Sequence, residues 1–135
     1  MESNKFSIIM FSGTADKFIP LGILSQAAAA MGYEVNIFIT GFALLSFTKN
    51  PTTPPFPTEF AKMSPDFMKG MEHANMPTWN KMLKEAKELG AKISACSAMS
   101  TVLNLNKTDM NDLIDEIVGA ATFLQKSSGG QVIFI

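Results

Sequence analysis

The chain offers one thiol for nucleophilic chemistry, Cys96, and one imidazole, His73. One cysteine closes no intrachain disulfide, and one cysteine with one histidine builds no Cys/His metal cluster. His73 lies in a methionine-rich stretch with Met63, Met68, Met71 and Met76. It reads as a solvated or interface histidine rather than as a base for Cys96. Methionines of this kind mostly fill gaps in cores and subunit contacts, so no metal and no cofactor is expected. Ser12-Gly13-Thr14 lacks the glycine spacing of a dinucleotide or P-loop phosphate site. No paired carboxylates and no Ser/His/Asp set stand out from the charges of solvated helices.

What marks Cys96 is its place. Ala91 to Ala95 reads as a strand running into the cysteine, and Ser97 opens a short helix that extends to Leu103. Open α/β sheets bind ligands in the crevice outside the carboxyl ends of their parallel strands. Free N–H groups at a helix start favour a thiolate or a persulfide anion over the neutral thiol. The expected site therefore has Cys96 as nucleophile. Its lining and anion-holding groups come from the strand-end loops: Gly13, Thr14, Thr40, Gly41, Phe42, Ser97, Ala98, Met99 and Ser100. The competing reading makes Cys96 a small buried hydrophobe, as free cysteines often are. The residues alone leave both open.

The elements that must position this thiol follow from periodicity. Phe6 to Phe11 is a short apolar run rich in β-branched and aromatic residues, read as a buried strand. Ala15 to Met31 turns helical, with Phe18, Leu21, Leu24 and Ala28 at three- and four-residue steps, Pro20 placed near its first turn and Gly32 as its stop. Tyr33 to Ile39 is the next strand, so the first forty residues form a βαβ unit with parallel strands. Gly41 to Phe47 is a short apolar helix or turn. Lys49 to Pro57 holds four of the seven prolines and resists regular structure. A short helix is expected from Ser64-Pro65. Pro77 to Leu89 is the clearest amphipathic helix, with Trp79, Met82, Leu83 and Ala86 on its apolar side. Asp109 to Gln125 permits one long helix. The β-branched Ile114 to Val118 and the break at Gly119 favour a strand near 116–119 and a helix over 120–126 instead. Gln131 to Ile135 is the last strand. The expectation is a three-layer α/β/α, flavodoxin-like fold with a mostly parallel sheet of about five strands. It forms one domain over 1–135, with a Pro/Met-rich insertion at about 49–76.

Composition excludes several functions. The 135 residues carry a formal net charge of -1, and all eleven basic residues are lysines spread among twelve acids. That is no basic stripe for nucleic acid. No apolar run is long enough to cross a bilayer, and the first residues lack a signal-peptide pattern, so the chain is read as soluble and cytoplasmic with no membrane partner. Hydrophobic residues reach 47% while charged residues are only 17%. Part of that apolar surface is expected to lie between subunits of a homo-oligomer.

Four segments in order resemble the DsrE/DsrF/DsrH-like sulfur-relay family, in its DsrE2-like branch. They are Ser7 to Gly13 with Asp16, Ala27 to Phe38, Leu89 to Ser100 and Val118 to Leu124. The chemically specific one is Gly90-x-Lys92-x-x-Ala95-Cys96-x-x-Met99-Ser100. The resemblance implies a homo-oligomer whose cysteine carries sulfane sulfur as a persulfide or thiosulfonate. It implies a partner of the small sulfur-carrier kind, of TusA or rhodanese type, and it carries over Cys96 alone as the reactive residue. Some relatives have a second cysteine, and its absence here excludes an internal disulfide step. The "peroxiredoxin" label often given to this branch finds no support. There is no Pro-x-x-x-Thr/Ser-x-x-Cys pattern and no arginine to hold a peroxidatic thiolate. The alternative is a non-catalytic oligomeric or regulatory subunit with a structural Cys96.

An assembly prediction follows from the low charge fraction and the methionine- and phenylalanine-rich middle. Sedimentation at micromolar concentration should show a dimer, trimer or hexamer, with part of residues 42–80 at the interface; a monomer alone contradicts it.

Overall fold

The apolar runs become five strands: β1 (Lys5–Met10), β2 (Glu34–Ile39), β3 (Lys92–Cys96), β4 (Glu116–Val118) and β5 (Gln131–Phe134). Between them lie α1 (Ala15–Ala30), α2 (Ser64–His73), α3 (Trp79–Glu88), α4 (Ser97–Val102) and α5 (Ala120–Ser127), with 3₁₀ turns at Gly41–Ser46, Thr58–Met63 and Lys107–Asp109. The structure is a computed structural model and describes residues 4–135. The strands form one parallel sheet in the order β4-β3-β2-β1-β5. The expected three-layer α/β/α architecture is therefore present, with β3 inside the sheet. The ambiguous stretch after Asp109 resolves into strand and helix, as the β-branched run and Gly119 require.

Two local details differ from expectation. Pro20 lies in the second turn of α1 rather than its first, so the helix goes without one backbone donor there. Pro77 precedes α3, and Thr78 is its N-cap, accepting from the Lys81 N–H at 3.4 Å.

Alternation along the strands divides the side chains between two unequal faces. On one face Phe6, Ile8, Met10, Val35, Ile37, Ile39, Ile93 and Ala95 meet Phe18 and Leu21 of α1 and Leu83 and Ala86 of α3 in the main core. Phe18, Phe47 and Trp79 interlock there, with ring centroids 4.6 Å (Phe18–Trp79) and 5.3 Å (Phe47–Trp79) apart. This ties α1, the Gly41–Ser46 turn and α3 together. Each fully buried Leu, Ile or Phe adds roughly 1.5–3 kcal/mol, so this face supplies most of the apolar stabilisation.

The other face carries Ser7, Ile9, Asn36, Phe38, Ser94, Cys96 and Val118. Among the described residues α5 is the helix that covers it, and it buries only Phe123 and Ser127. Two polar atoms on this face, Ser7 Oγ and Asn36 Nδ2, are buried without a hydrogen-bond partner. Ser7 and Asn36 are register partners on β1 and β2.

Asp115 locks the far edge. Its Oδ2 accepts the Ile93 N–H at 2.8 Å, its Oδ1 accepts Lys87 Nζ at 2.8 Å, and its own N–H donates to the Ile93 carbonyl at 2.8 Å. One side chain thus joins α3, β3 and the entry to β4. Burial raises the carboxyl's affinity for a proton, but the Ile93 N–H and the Lys87 and Lys92 charges outweigh it, so its pKa lies below the ordinary 3.8.

Two predictions arise. Leu83→Ala, in the main core, should lower unfolding free energy by about 2–5 kcal/mol in urea melts, whereas Ser7→Ala should be neutral or stabilising because its hydroxyl has no partner to lose. The Asp115 contribution is full above the unfolded-state pKa near 3.8 and disappears as pH falls through the lower folded value. Asp115→Asn should therefore destabilise at neutral pH and flatten the acid limb of a pH–stability curve below the ordinary carboxylate value.

Candidate functional site

Cys96 ends β3 opposite Val118 of β4. Alternation aims its side chain at the thinly covered face, where it shares a buried cluster with Phe38, Val118 and Phe123, edged by Ile9 and Met99. Cys96 as a residue is 7% exposed. Phe38 and Phe123 stack with centroids 4.7 Å apart, and this pair bridges β2 and α5 in the same cluster.

The helix expected after the cysteine is present: α4 starts at Ser97 with Cys96 as its N-cap. The cap makes no side-chain hydrogen bond, so the sulfur sits in apolar surroundings rather than against the α4 amides. Ser100, buried, instead donates its hydroxyl to the Cys96 carbonyl at 2.7 Å. That bond fixes the cysteine's backbone and leaves the serine hydroxyl occupied. Ser97 is half-buried and close to Gly119, where an added Cβ would lie 3.8 Å from Ser97 Oγ. Ala98 is exposed, and half-buried Met99 touches both cores.

The remaining predicted lining forms a second group at the ends of β1 and β2. Thr40 is buried, and its N–H donates to the Met10 carbonyl at 2.9 Å. It is one step beyond the Ile39–Ala95 register pair, which places it on the Cys96 side of the rim. Gly41 has φ +55°, and a Cβ there would come within 2.6 Å of the Phe11 ring. Gly13 lies against Phe42, with 2.9 Å between its hypothetical Cβ and that of Phe42. Glycine at both positions lets Phe11 and Phe42 pack edge to face, 5.8 Å between centroids. Phe11 also stacks on Phe134 at 6.3 Å. Phe42 and Phe134 are 63% and 68% exposed, so the rim from β5 to β2 is an exposed aromatic band.

Thr14 caps α1 without pointing at the thiol: its hydroxyl donates to Asp16 Oδ1 at 2.6 Å, and the following Ala15 N–H is taken by the Pro55 carbonyl at 2.8 Å. The Pro-rich segment is thus laid over the start of α1. His73 is exposed at the end of α2. Neither α2 nor the turn before it buries a residue, and Phe60, Met63, Phe67 and Met68 are exposed there. A groove of about 540 Å³ opens elsewhere, between Pro51–Pro54, Trp79 and Lys84 of α3, and Asn111–Leu113, and includes none of the expected site residues.

The immediate neighbours of Cys96 that sequence reasoning missed are Phe38, Val118 and Phe123. The two-residue period would have flagged Phe38 as sharing a face with Thr40, but only strand register brings Val118 and α5 to the thiol.

The comparisons with known proteins bear on this geometry. The DsrE/DsrF/DrsH-like family matches residues 2–135, and the chain belongs to that family. It is 32% identical to the sulfur carrier protein DsrE2 of Allochromatium vinosum, over 93% of this chain and 93% of that protein. It is 27% identical to the uncharacterized protein YrkE of Bacillus subtilis, over 97% and 96%. Among solved structures, the ychN protein from E. coli superposes with a TM-score of 0.64 at 10% identity, over 98% of this chain and 99% of that one, a likeness of fold.

The rim generates a structural prediction. Gly41→Ala should cost about 1–3 kcal/mol, because a side chain at positive φ also meets the Phe11 ring. A urea midpoint equal to wild type would contradict both the backbone strain at positive φ and the contact with Phe11.

Proposed function

We propose that this member of the DsrE/DsrF/DrsH-like family works in a sulfur relay as a sulfur carrier, with Cys96 as the atom that holds the sulfur. One observation carries the reading: the chain's sole cysteine sits at the carboxyl end of an inner strand of this family's sheet, where open α/β sheets do their chemistry. The relationship to a protein named as a sulfur carrier supports it.

The chemistry needs no redox partner. The Cys96 thiolate attacks the outer sulfur of a donor persulfide, R–S–SH. A new S–S bond forms on Cys96, the donor's S–S bond breaks, and its electron pair leaves on the donor sulfur. That thiolate takes up the proton of the transferred sulfur and departs as R–SH, leaving the persulfide anion on Cys96. Tetrathionate undergoes the same attack, releasing thiosulfate and leaving a thiosulfonate on Cys96. An acceptor thiolate then removes the outer sulfur by the same exchange. Phe38, Val118, Phe123 and Met99 shield the loaded sulfur from stray thiols. The rim formed by Gly13, Thr14, Thr40 to Phe42 and Ser97 to Ser100 is where donor and acceptor approach. The acceptor is a small sulfur-carrier protein of TusA or rhodanese type. The chain acts as a cytoplasmic homo-oligomer, a reading supported by the exposed Phe42, Phe60, Met63, Phe67 and Met68 within residues 42–80. Among the described residues no helix is long and apolar enough to cross a membrane.

A second reading has its own observation. Cys96 is 7% exposed inside an apolar cluster, as a structural cysteine would be in a non-catalytic oligomeric or regulatory subunit. Mass spectrometry after incubation with polysulfide or tetrathionate separates the two. The carrier reading expects wild type to gain sulfur, and Cys96→Ser to gain none while keeping its circular dichroism and urea midpoint. A wild-type protein that takes up no sulfur from either donor leaves the structural reading standing.

A further inference from the structure

A sulfur carrier needs its thiol to meet another protein or a small donor, yet Cys96 is buried. The cover on that face is uneven. α5 places two side chains inward, Phe123 and Ser127, while Ala120, Ala121, Thr122, Leu124 and Gln125 face outward. Its polar ties all lie toward its C-terminal end. Lys126 Nζ pairs with Glu116 of β4 at 2.6 Å, and Lys5 Nζ of β1 donates to the Lys126 carbonyl at 3.4 Å. Beyond them Gly130 is pressed against the Lys5 backbone, with no room for a Cβ.

The N-terminal half is the part beside Cys96, and it is held differently. It leaves β4 through Gly119, which has no side chain to cap the helix. Its one inward anchor is Phe123, stacked on Phe38. The unpartnered Ser7 hydroxyl and Asn36 amide lie two residues on from Lys5 and Glu34, beside the tethered end, whereas the N-terminal half lies over the apolar cluster of Phe38, Cys96 and Val118.

We propose that α5 is a hinged cover over Cys96: its N-terminal half, released by withdrawal of Phe123 from Phe38, swings about Gly119 and the tethered Lys126–Gly130 end to expose the thiol. The inference rests on the sulfur-carrier reading for its purpose, though its geometry stands without it. A cover that is closed at rest reconciles a shielded sulfur with a reactive one. Segments with few buried apolar contacts open locally at lower free energy than the whole domain unfolds.

The test is the rate at which full-length protein loses its single thiol to iodoacetamide under native conditions, read beside urea stability and amide hydrogen exchange of α5. Wild-type Cys96 should label far more slowly than a free thiol but faster than global unfolding allows. Phe123→Ala should raise the rate at least about tenfold, the change produced by about 1.4 kcal/mol of lost closure. Leu83→Ala, in the main core on the opposite face, should lower global stability yet leave the labelling rate within about twofold. Should Phe123→Ala fail to fold, Phe123→Leu serves instead. It keeps an apolar side chain but loses the stack on Phe38 and should raise the labelling rate by about threefold, with faster exchange of the α5 amides and little change in the urea midpoint. Labelling of wild type at the free-thiol rate, or rates that track global stability across the variants, would overturn the cover. Sulfur uptake is scored separately, so a protein that labels as expected but never gains sulfur keeps the cover and loses the carrier reading.

Discussion

Each side chain of a strand must take one face of the sheet or the other, and in this protein the two faces are covered unequally. That constraint decides the character of Cys96. Ile93 and Ala95 fall on the face sealed by α1 and α3, while Ser94 and Cys96 fall on the face roofed, among the described residues, by α5 and edged by Met99 of α4. A shift of one residue in β3 would bury the cysteine beneath two packed helices and turn Ala95 toward α5. The register of β3 between β2 and β4, pinned at its entrance by Asp115, therefore sets both where the thiol is and how it can be reached.

The topology explains the imbalance. β1, β2 and β3 follow one another across the sheet, and right-handed crossovers between sequential parallel strands return to the same side. The two long connections, through α1 and α3, consequently lie together and share a large apolar contact. The connection from β4 to β5 runs back across the whole sheet to the opposite edge and passes over the other face. One eight-residue helix has to span that face, so polar residues such as Ser7 and Asn36 remain beneath it with partners unfilled. A heavily packed face provides stability, and a lightly packed one leaves the chemistry accessible.

The loops at the carboxyl ends of the strands divide the labour further. Gly13 and Gly41 are glycines because Phe42 and Phe11 occupy the space that side chains would need. The rim that results is aromatic and exposed, unlike the polar amide cradle that helix-start reasoning anticipated. The α4 amides leave the sulfur unbonded, and Ser100 holds the Cys96 carbonyl. The surroundings of the thiol are therefore apolar first, which favours exclusion of water and small reductants over direct hydrogen bonding to an anion.

Much of this was determined by sequence. Short apolar runs with glycines nearby, Gly13, Gly32, Gly41, Gly90, Gly119 and Gly130, mark all five strands, because local sterics and alternation act within a few residues. Gly119 and the Ile114 to Val118 run separate β4 from α5 where periodicity alone permitted one helix. The place of Cys96 at a strand end, and the family pattern around it, were likewise legible. Tertiary structure alone decided what touches the sulfur. Val118 comes from a strand 22 residues later in its register, and Phe123 comes from a helix whose face is fixed only when β5 joins the far edge. Pairing of distant strands and the side of a crossover are properties of the assembled sheet. No local spacing of residues around Cys96 encodes which helix will close over it.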